Sequence, residues 1–350
     1  MLLNGIFAAI TTPFYPDGKV YFRKIEHNVD RYSRTPISGI AVLGSTGEAV
    51  MLTDQERREV LREARNAAAN HTVLLAGASA ESAIATLELT EYAASLSYDA
   101  ALVRPPSYYK PQMKLENILA FYRFVADRSP LPVVLYNAPV FTGYDLPLEI
   151  IAELAEHPRI IGIKESGGSL EKIERLAQST RHVQYEVPVT EVFTAVTARM
   201  LAEESAEKAG NVVPVESLSG STTTAVAAKP KLKTRTKNAG FQVLCGSGHQ
   251  VLNALDKGAS GALIAFACIA PTACFEIYTA WKDRDPKLAE EKQQRIALAS
   301  QRIVGQLGIP GIKYALDLNG YYGGTPRLPL LPVTAAVKQE IEKLLADIRN

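Results

Sequence analysis

Short apolar runs alternate along the chain with longer segments in which apolar residues recur at helical spacing. The runs are rich in β-branched residues and have the length of buried strands. Eight of them begin near Ile6, Ile40, Val73, Ala100, Val133, Ile160, Phe241 and Ala262. A helical segment follows each run. The clearest helix begins after Thr53, because Glu56 then stands where a capping box needs a carboxylate.

Eight strand–helix repeats predict a (β/α)8 TIM barrel, an α/β fold whose strands are all parallel and whose reactive groups gather at the strands' carboxyl ends. A doubly wound open sheet is the alternative. The first run, however, is not followed by a Gly-x-Gly-x-x-Gly turn, and polar or aromatic residues recur after nearly every predicted strand. Both observations favour the barrel.

The predicted domain plan is a barrel over residues 1–300 with a helical extension over 301–350. We expect helices from about Gln301 to Leu318 and from Thr334 to Ile348, packed outside the barrel or at a subunit contact. Residues 185–240 interrupt the repeat before the seventh strand, where a loop of about two to six residues is usual. The insertion joins a helix to a strand, so it is expected at the face opposite the chemistry.

The two parts of the insertion differ in composition. Thr190 to Ala209 has helical spacing, whereas Ser217 to Gly240 is rich in Ser, Thr, Ala and Lys and is predicted to be disordered. Basic residues alternate from Lys229 to Lys237. They suit either an acidic partner or a solvated flexible run.

Composition and charge point to a small-molecule partner. The chain has 350 residues, 47% of them hydrophobic, and a net charge of +1 with both signs mixed, which gives no footprint for nucleic acid or membrane. Three cysteines lie in apolar stretches without zinc-site spacing, and five histidines are scattered. We therefore expect free buried thiols, no metal and no cofactor. The sequence shows neither a basic, apolar leader nor an apolar span, so we expect a cytoplasmic protein.

The most informative single residue is Lys164, which follows the apolar run Ile160–Ile163. A strand of this kind does not readily hide an ammonium. Desolvation weakens a lysine's preference for the charged form and makes its amine available as a nucleophile towards a carbonyl. Lys164 is therefore a Schiff-base candidate, the alternative being a lysine that simply reaches solvent.

Small hydroxyl groups follow the second predicted strand. Ser45 and Thr46 stand between Gly44 and Gly47, and such a turn directs N–H and O–H groups towards a carboxylate. An ordinary Ser/Thr/Gly turn is the other interpretation. Gly246 follows the seventh strand and lets a ligand approach its backbone, or only makes a turn.

Tyrosines occur at two other strand ends, Tyr109 after the fourth and Tyr136 at the fifth. A phenol near a lysine in a dry site can relay a proton, although packing is the commoner role. Tyr136 is the better candidate because its strand and that of Lys164 are consecutive, and consecutive strands pair in a barrel. Glu48 and Glu165 flank the expected pocket and are interpreted as anchors of local hydrogen bonds.

Three motifs together resemble the dihydrodipicolinate synthase/N-acetylneuraminate lyase family of pyruvate-dependent class I aldolases. They are 44–48 (GSTGE), 136–139 (YNAP) and 162–166 (GIKES). The resemblance covers nearly the whole chain except the insertion. Residues 164–168, 308–313 and 320–324 look most like the 4-hydroxy-2-oxoglutarate aldolase branch.

The resemblance implies a role for each candidate. Lys164 forms an imine with pyruvate or a 2-oxo acid, Ser45 and Thr46 hold the carboxylate, and Tyr136 moves protons. Tyr109 reaches a neighbouring subunit's site and completes the relay with Thr46, which implies a homodimer or homotetramer. The remaining implied substrate-binding residues are Ser166, Gly246 and Leu263.

The residue two positions after the proline of the tyrosine motif bears on the second substrate. Synthases that condense pyruvate with aspartate semialdehyde usually carry an arginine there to clamp a carboxylate, and this chain has Phe141. Ser166 can donate to glyoxylate. The sequence thus favours cleavage of 4-hydroxy-2-oxoglutarate to pyruvate and glyoxylate, although Thr46 stands where the closest animal aldolases are expected to have asparagine.

Three alternatives stay open at this point. One is the synthase, 4-hydroxy-tetrahydrodipicolinate (dihydrodipicolinate) synthase. Another is an N-acetylneuraminate or sugar-acid lyase or dehydratase, which forms the same lysine imine but carries out a different reaction from it. The third is a non-catalytic protein that binds a keto acid, which leaves the set of lysine, tyrosine and hydroxyl groups without a purpose.

Overall fold

The computed structural model describes residues 2–190 and 234–348. Eight parallel strands form a barrel: β1 Gly5–Ala9, β2 Gly39–Val42, β3 Val73–Gly77, β4 Ala100–Val103, β5 Val133–Asn137, β6 Ile160–Glu165, β9 Gln242–Cys245 and β10 Gly261–Ile264. The barrel closes in the order β1-β10-β9-β6-β5-β4-β3-β2. All eight predicted strands, and the predicted TIM barrel, are confirmed.

Helices connect the strands and extend the chain beyond them. Those of the first six repeats are α1 Phe22–Ser33, α2 Asp54–Ala67, α3 Ala83–Ser95, α4 Leu115–Arg128, α5 Pro139–Thr142, α6 Leu148–Ala155 and α7 Leu170–Ser179. The later ones are α8 Val251–Asp256, α9 Phe266–Ile269, α10 Pro271–Lys282, α11 Pro286–Ser300, α12 Gly308–Leu318 and α13 Ala335–Leu344, with a π-helical segment Gln301–Gln306 before α12. The capping box of α2 is confirmed, since Thr53 and Glu56 bond reciprocally.

Alternation along the strands divides the buried residues into two clusters. Side chains that point inward, among them Phe7, Leu75, Leu102 and Leu244, fill the barrel interior. Those that point outward pack against the surrounding helices. Among the described residues the barrel interior is therefore a solid core, and a ligand of the barrel binds above it, at the carboxyl ends of the strands.

One strand departs from regular alternation at a position that matters. Val133 of β5 pairs with Ile160 and Val134 pairs with Gly162, so Ile161 is an extra residue in β6. Such a bulge reverses which side chains face inward beyond it. Regular alternation from the outward-facing Ile160 would turn Lys164 outward; the bulge turns it inward.

The ends of the insertion form strands, which corrects part of the sequence-based expectation. β7 Gln184–Thr190 and β8 Thr234–Gly240 make a two-stranded sheet. Residues 234–240 had been expected to be disordered, but backbone pairing with a strand distant in sequence orders them. The predicted helix over Thr190 to Ala209 lies, except for Thr190, outside the described residues. The chain divides into two compact units, Met1–Tyr185 with Asn238–Asn350, and Glu186–Lys237.

The C-terminal helices are expected outside the barrel or at a subunit contact, and the structure adds that α12 lies at the barrel mouth. Its first turn and the π-helical segment before it cover the carboxyl ends of the strands and line a cavity there. The reason is composition: Ile309, Pro310 and Ile312 are apolar, and their position over the barrel mouth buries Ile312 and half-buries the other two, which removes apolar surface from water.

The cysteines agree with a further expectation. Cys245, Cys268 and Cys274 are buried and free. Within residues 2–190 and 234–348, no helix has the length and apolar content needed to span a bilayer.

Candidate active site

Lys164 and Tyr136 are direct neighbours on adjacent strands. They are register partners of β6 and β5, and the lysine Nζ lies 4.4 Å from the centre of the tyrosine ring. Both are nearly fully buried, with 5% of Lys164 and 4% of Tyr136 exposed. A lysine amine thus stands beside a phenol at the mouth of the barrel.

The loop after β2 brings the predicted hydroxyl groups to the same place. The Ser45 hydroxyl lies 3.2 Å from the Tyr136 hydroxyl, a hydrogen-bond distance. Thr46 lines the same cavity. The loop is tied underneath, because the Thr12 hydroxyl donates to the carbonyl oxygen of Gly47 at 2.7 Å.

The strand ends opposite the loop supply Ser166 and Gly246. The backbone N–H of Ser166 donates to the Asn137 carbonyl, and that of Gly246 donates to the Glu165 carbonyl at 2.7 Å. A Cβ at Gly246 would lie 2.0 Å from the Ser166 hydroxyl oxygen. Only glycine fits there, because this strand end approaches the next one so closely.

These groups surround a cavity of about 380 Å³. Its polar side consists of Ser45, Thr46, Tyr136, Lys164 and Ser166. The rest of its lining is glycine or apolar: Ala138, Val140, Phe141, Gly246, Ala265, Val304, Gly305, Leu307, Gly308, Ile309, Pro310, Ile312 and Leu330. Lys164 is the only cationic side chain among the described residues that line it.

Two predicted residues lie elsewhere. Leu263 is fully buried in the barrel interior, and Ala265 lines the cavity instead. Leu263 belongs to β10, whereas Ala265 follows the carboxyl end of that strand. Tyr109 is 64% exposed on the loop after β4 and stacks edge-on with Tyr108. It does not line the cavity of its own chain, and its role in a neighbouring subunit stays a prediction.

The two carboxylates beside the site anchor local structure, as interpreted from the sequence. Glu165 accepts hydrogen bonds from the Asn137 amide and from the backbone of Gly167. Burial raises the pKa of Glu165, and the nearby Lys172 opposes the rise. Glu48 is bound by Lys313 and by the backbone N–H of Arg327.

The thiol beside the site is not a nucleophile of this arrangement. The Cys245 side chain belongs to the cluster that packs between the strands and the surrounding helices. Burial raises the pKa of its thiol to about 11. Within the described ranges no group of three or more His, Cys, Asp or Glu side chains is placed to hold a metal ion.

The structure adds site residues that sequence reasoning missed. Val304, Leu307, Ile309 and Leu330 come from the C-terminal region and form one wall. In the sequence, the motif 308–313 indicated only a resemblance to an aldolase branch. Its apolar start and its two glycines were the available signal, but nothing local to it says that it covers the barrel mouth.

Comparison with known proteins decides the family. The sequence profile of the dihydrodipicolinate synthetase family matches residues 2–188 and 190–348. The chain belongs to this family. A solved structure of the same family, YagE from Escherichia coli K12, superposes with a TM-score of 0.77 at 24% identity, covering 99% of each chain.

Curated relatives within the family carry two kinds of name. The chain is 28% identical over 349 residues to the 4-hydroxy-tetrahydrodipicolinate synthase of Methanothrix thermoacetophila, covering 100% of this chain and 98% of the relative. It is 30% identical over 345 residues to the L-threo-3-deoxy-hexylosonate aldolase of Hypocrea jecorina, covering 97% and 94%. The chain is thus an enzyme of a lyase and aldolase family.

Proposed function

We propose that this member of the dihydrodipicolinate synthetase family is a Schiff-base-forming class I aldolase that makes or breaks a carbon–carbon bond to pyruvate. The observation that carries the proposal is the position of Lys164. Its amine is nearly fully buried, faces the cavity because of the bulge in β6, and lies beside the Tyr136 phenol.

The chemistry follows from these groups. The Lys164 amine adds to the C2 carbonyl of pyruvate, and the carbonyl oxygen, once protonated, leaves as water to give a protonated imine. This imine accepts the electron pair when a C3 proton leaves, and the resulting enamine attacks an aldehyde carbonyl to form the C3–C4 bond. Cleavage is the reverse. Water then releases the product and restores the amine.

The neighbouring hydroxyl groups fit the remaining tasks. We assign to Ser45 and Thr46 the donation of hydrogen bonds to the pyruvate carboxylate, and to the Tyr136 phenol the transfer of protons to and from the reacting oxygen atoms; their position on the cavity beside Lys164 supports both roles. The hydrogen bond between Ser45 and Tyr136 links the two tasks.

Borohydride trapping tests the imine directly. With pyruvate present, reduction should add the mass of a reduced pyruvate adduct to the peptide that contains Lys164, and without pyruvate it should not. Lys164→Ala should fold, trap nothing and lose turnover. An adduct on another lysine, or turnover retained by Lys164→Ala, contradicts the proposal.

For the second substrate we propose glyoxylate, which makes the physiological reaction the cleavage of 4-hydroxy-2-oxoglutarate. Ser166 supports this assignment, because it lines the cavity two residues beyond the lysine and can donate to a short carboxylated aldehyde. The synthase reaction is less well supported. Phe141 lines the cavity where an arginine would clamp the aspartate semialdehyde carboxylate, and it offers no charge.

A second candidate is the cleavage of a 2-oxo sugar acid to pyruvate and an uncharged aldehyde. It is favoured by the wall opposite Lys164, which is apolar and presents no further cation among the described residues. An uncharged aldehyde needs no ion pair there. The fungal relative, named as a deoxy-hexylosonate aldolase, agrees with this candidate.

A panel of aldehydes separates these reactions. Glyoxylate, aspartate semialdehyde and glyceraldehyde are each supplied with pyruvate, and kcat/KM is compared. The physiological class should exceed the others by orders of magnitude. A highest value for glyceraldehyde would replace the glyoxylate assignment with the sugar-acid one, and a highest value for aspartate semialdehyde would establish the synthase.

We further propose a homodimer or homotetramer in which Tyr109 enters a neighbouring site. Its 64% exposure, next to an exposed Tyr108, supports this. Sedimentation should give a dimer or tetramer, and Tyr109→Phe should lower kcat without changing the assembly. A fully active monomer would contradict both statements.

A further inference from the structure

An ion pair beneath the active-site loop has no part in the imine chemistry. The Nζ atom of Lys313, on α12, lies 2.7 Å from Oε1 of Glu48. Both side chains are almost completely buried, with 1% and 0% exposed. A buried charge is costly unless it is paired and hydrogen-bonded, so the site must be built to hold this pair.

Backbone carbonyl groups and an aromatic ring also hold the lysine in this position. It donates to the carbonyl oxygens of Thr12 at 2.8 Å and Thr325 at 3.1 Å, and it lies 4.3 Å from the centre of the Phe14 ring. Burial lowers the pKa of Lys313, and the Glu48 carboxylate opposes the decrease.

The loop that Glu48 ends is conformationally demanding. Leu43 at its start and Glu48 at its end both have positive φ, 63° and 54°. Left-handed backbone conformations of this kind are unfavourable for residues other than glycine. They persist only where surrounding contacts stabilise them. Lys313 supplies such a contact to Glu48.

A second link runs from the lysine to the same loop. Thr12, whose carbonyl accepts from Lys313, donates its own hydroxyl to the Gly47 carbonyl at 2.7 Å. Gly47 and Glu48 directly follow Ser45 and Thr46. The neighbour of the lysine on α12, Ile312, lines the cavity. One side of α12 therefore lines the cavity through Ile312, and Lys313 on the same helix holds the loop of Ser45 and Thr46.

We propose that Lys313 is a positioning residue, which through Glu48 and Thr12 sets the Ser45 and Thr46 hydroxyls for the substrate carboxylate. The inference rests on the proposed function, since it concerns how pyruvate is held before the imine forms. Misplacing hydroxyls that bond a carboxylate should weaken pyruvate binding about tenfold or more.

Two variants separate positioning from a purely structural role. Lys313→Met removes the ion-pair partner of the buried Glu48 carboxylate, so this variant should be unstable. Lys313→Met combined with Glu48→Gln removes both charges and should recover much of the stability. Lys338→Met, which removes an exposed lysine of α13, is the control.

Each variant is titrated with pyruvate, and borohydride trapping at Lys164 gives the half-maximal concentration. We expect the double variant to unfold close to the wild-type temperature yet need at least tenfold more pyruvate, while the control matches wild type. A double variant with the wild-type half-maximal concentration overturns the inference alone. A wild-type protein that traps no pyruvate overturns the proposed function and this role with it.

Discussion

Phe141 offers a way to change the choice of second substrate by one side chain. It lines the cavity mouth and is 68% exposed, and a long side chain from this position can reach the second substrate. Phe141→Arg would place a guanidinium where the described wall has no cation. The value of kcat/KM for aldehydes that carry a carboxylate should then rise relative to that for uncharged aldehydes.

The size of the gain follows from distance and exposure. Two unit charges about 4 Å apart attract by about 4 kcal/mol at an effective dielectric constant of about 20. Because the position is more than half exposed, water screens the pair, and measured exposed pairs are worth about 1 kcal/mol or less. We therefore expect a change of roughly fivefold in kcat/KM.

The assay compares kcat/KM for glyoxylate and for glyceraldehyde, each with saturating pyruvate. The ratio should rise about fivefold in Phe141→Arg, and most of the rise should vanish in about 1 M salt, where charges are screened within about 3 Å. Phe141→Gln is the matched control, polar but uncharged. An unchanged ratio, or an equal rise in the control, would refute the electrostatic reasoning.

Three further predictions address other parts of the molecule. Gly246→Ala should lower kcat/KM for pyruvate at least tenfold, because the added Cβ would lie 2.0 Å from the Ser166 hydroxyl oxygen; an unimpaired variant would show that the two strand ends can separate. Hydrogen bonding to Arg327 lowers the pKa of Glu56 from its ordinary value of 4.5, so the stability that this shift contributes is present above that pH and is lost as the pH falls through the lowered pKa. Urea unfolding at several pH values should therefore show a smaller acid-induced loss for Glu56→Gln than for wild type, and equal losses would contradict the assignment. Replacing residues 191–233 by a short Gly/Ser linker should leave kcat and KM unchanged, because the insertion joins a helix to the start of a strand while the site lies at strand carboxyl ends; lost activity in a folded variant would assign the insertion a role in catalysis.

Local sequence patterns were sufficient to predict the strands and helices of the barrel. Each buried strand is a continuous apolar run and each helix has its own periodicity or cap, as at Thr53, so the eight repeats could be predicted without knowledge of any contact. The parallel barrel then follows, and with it the meeting of Lys164, Tyr136 and Ser45 at one end. Leu263 was expected to line the pocket but lies in the barrel interior, because a strand's sequence pattern does not say how deep in the barrel each inward residue lies.

Other features depend on contacts between residues far apart in the chain. The strand at 234–240 exists through pairing with β7, and its own composition resembles a flexible segment. The wall from Val304 to Leu330 and the Lys313–Glu48 pair join the C-terminal region to the active site across more than half of the chain. No local pattern encodes such pairings.

The sequence by itself determined which residues are candidates for the chemistry, because residue type and position after a strand are local properties. The tertiary structure decided that the Lys164 side chain faces the cavity. Regular alternation from Ile160 would place Lys164 on the outer face of β6, and the extra residue Ile161, fixed only by register with β5, turns its amine into the cavity.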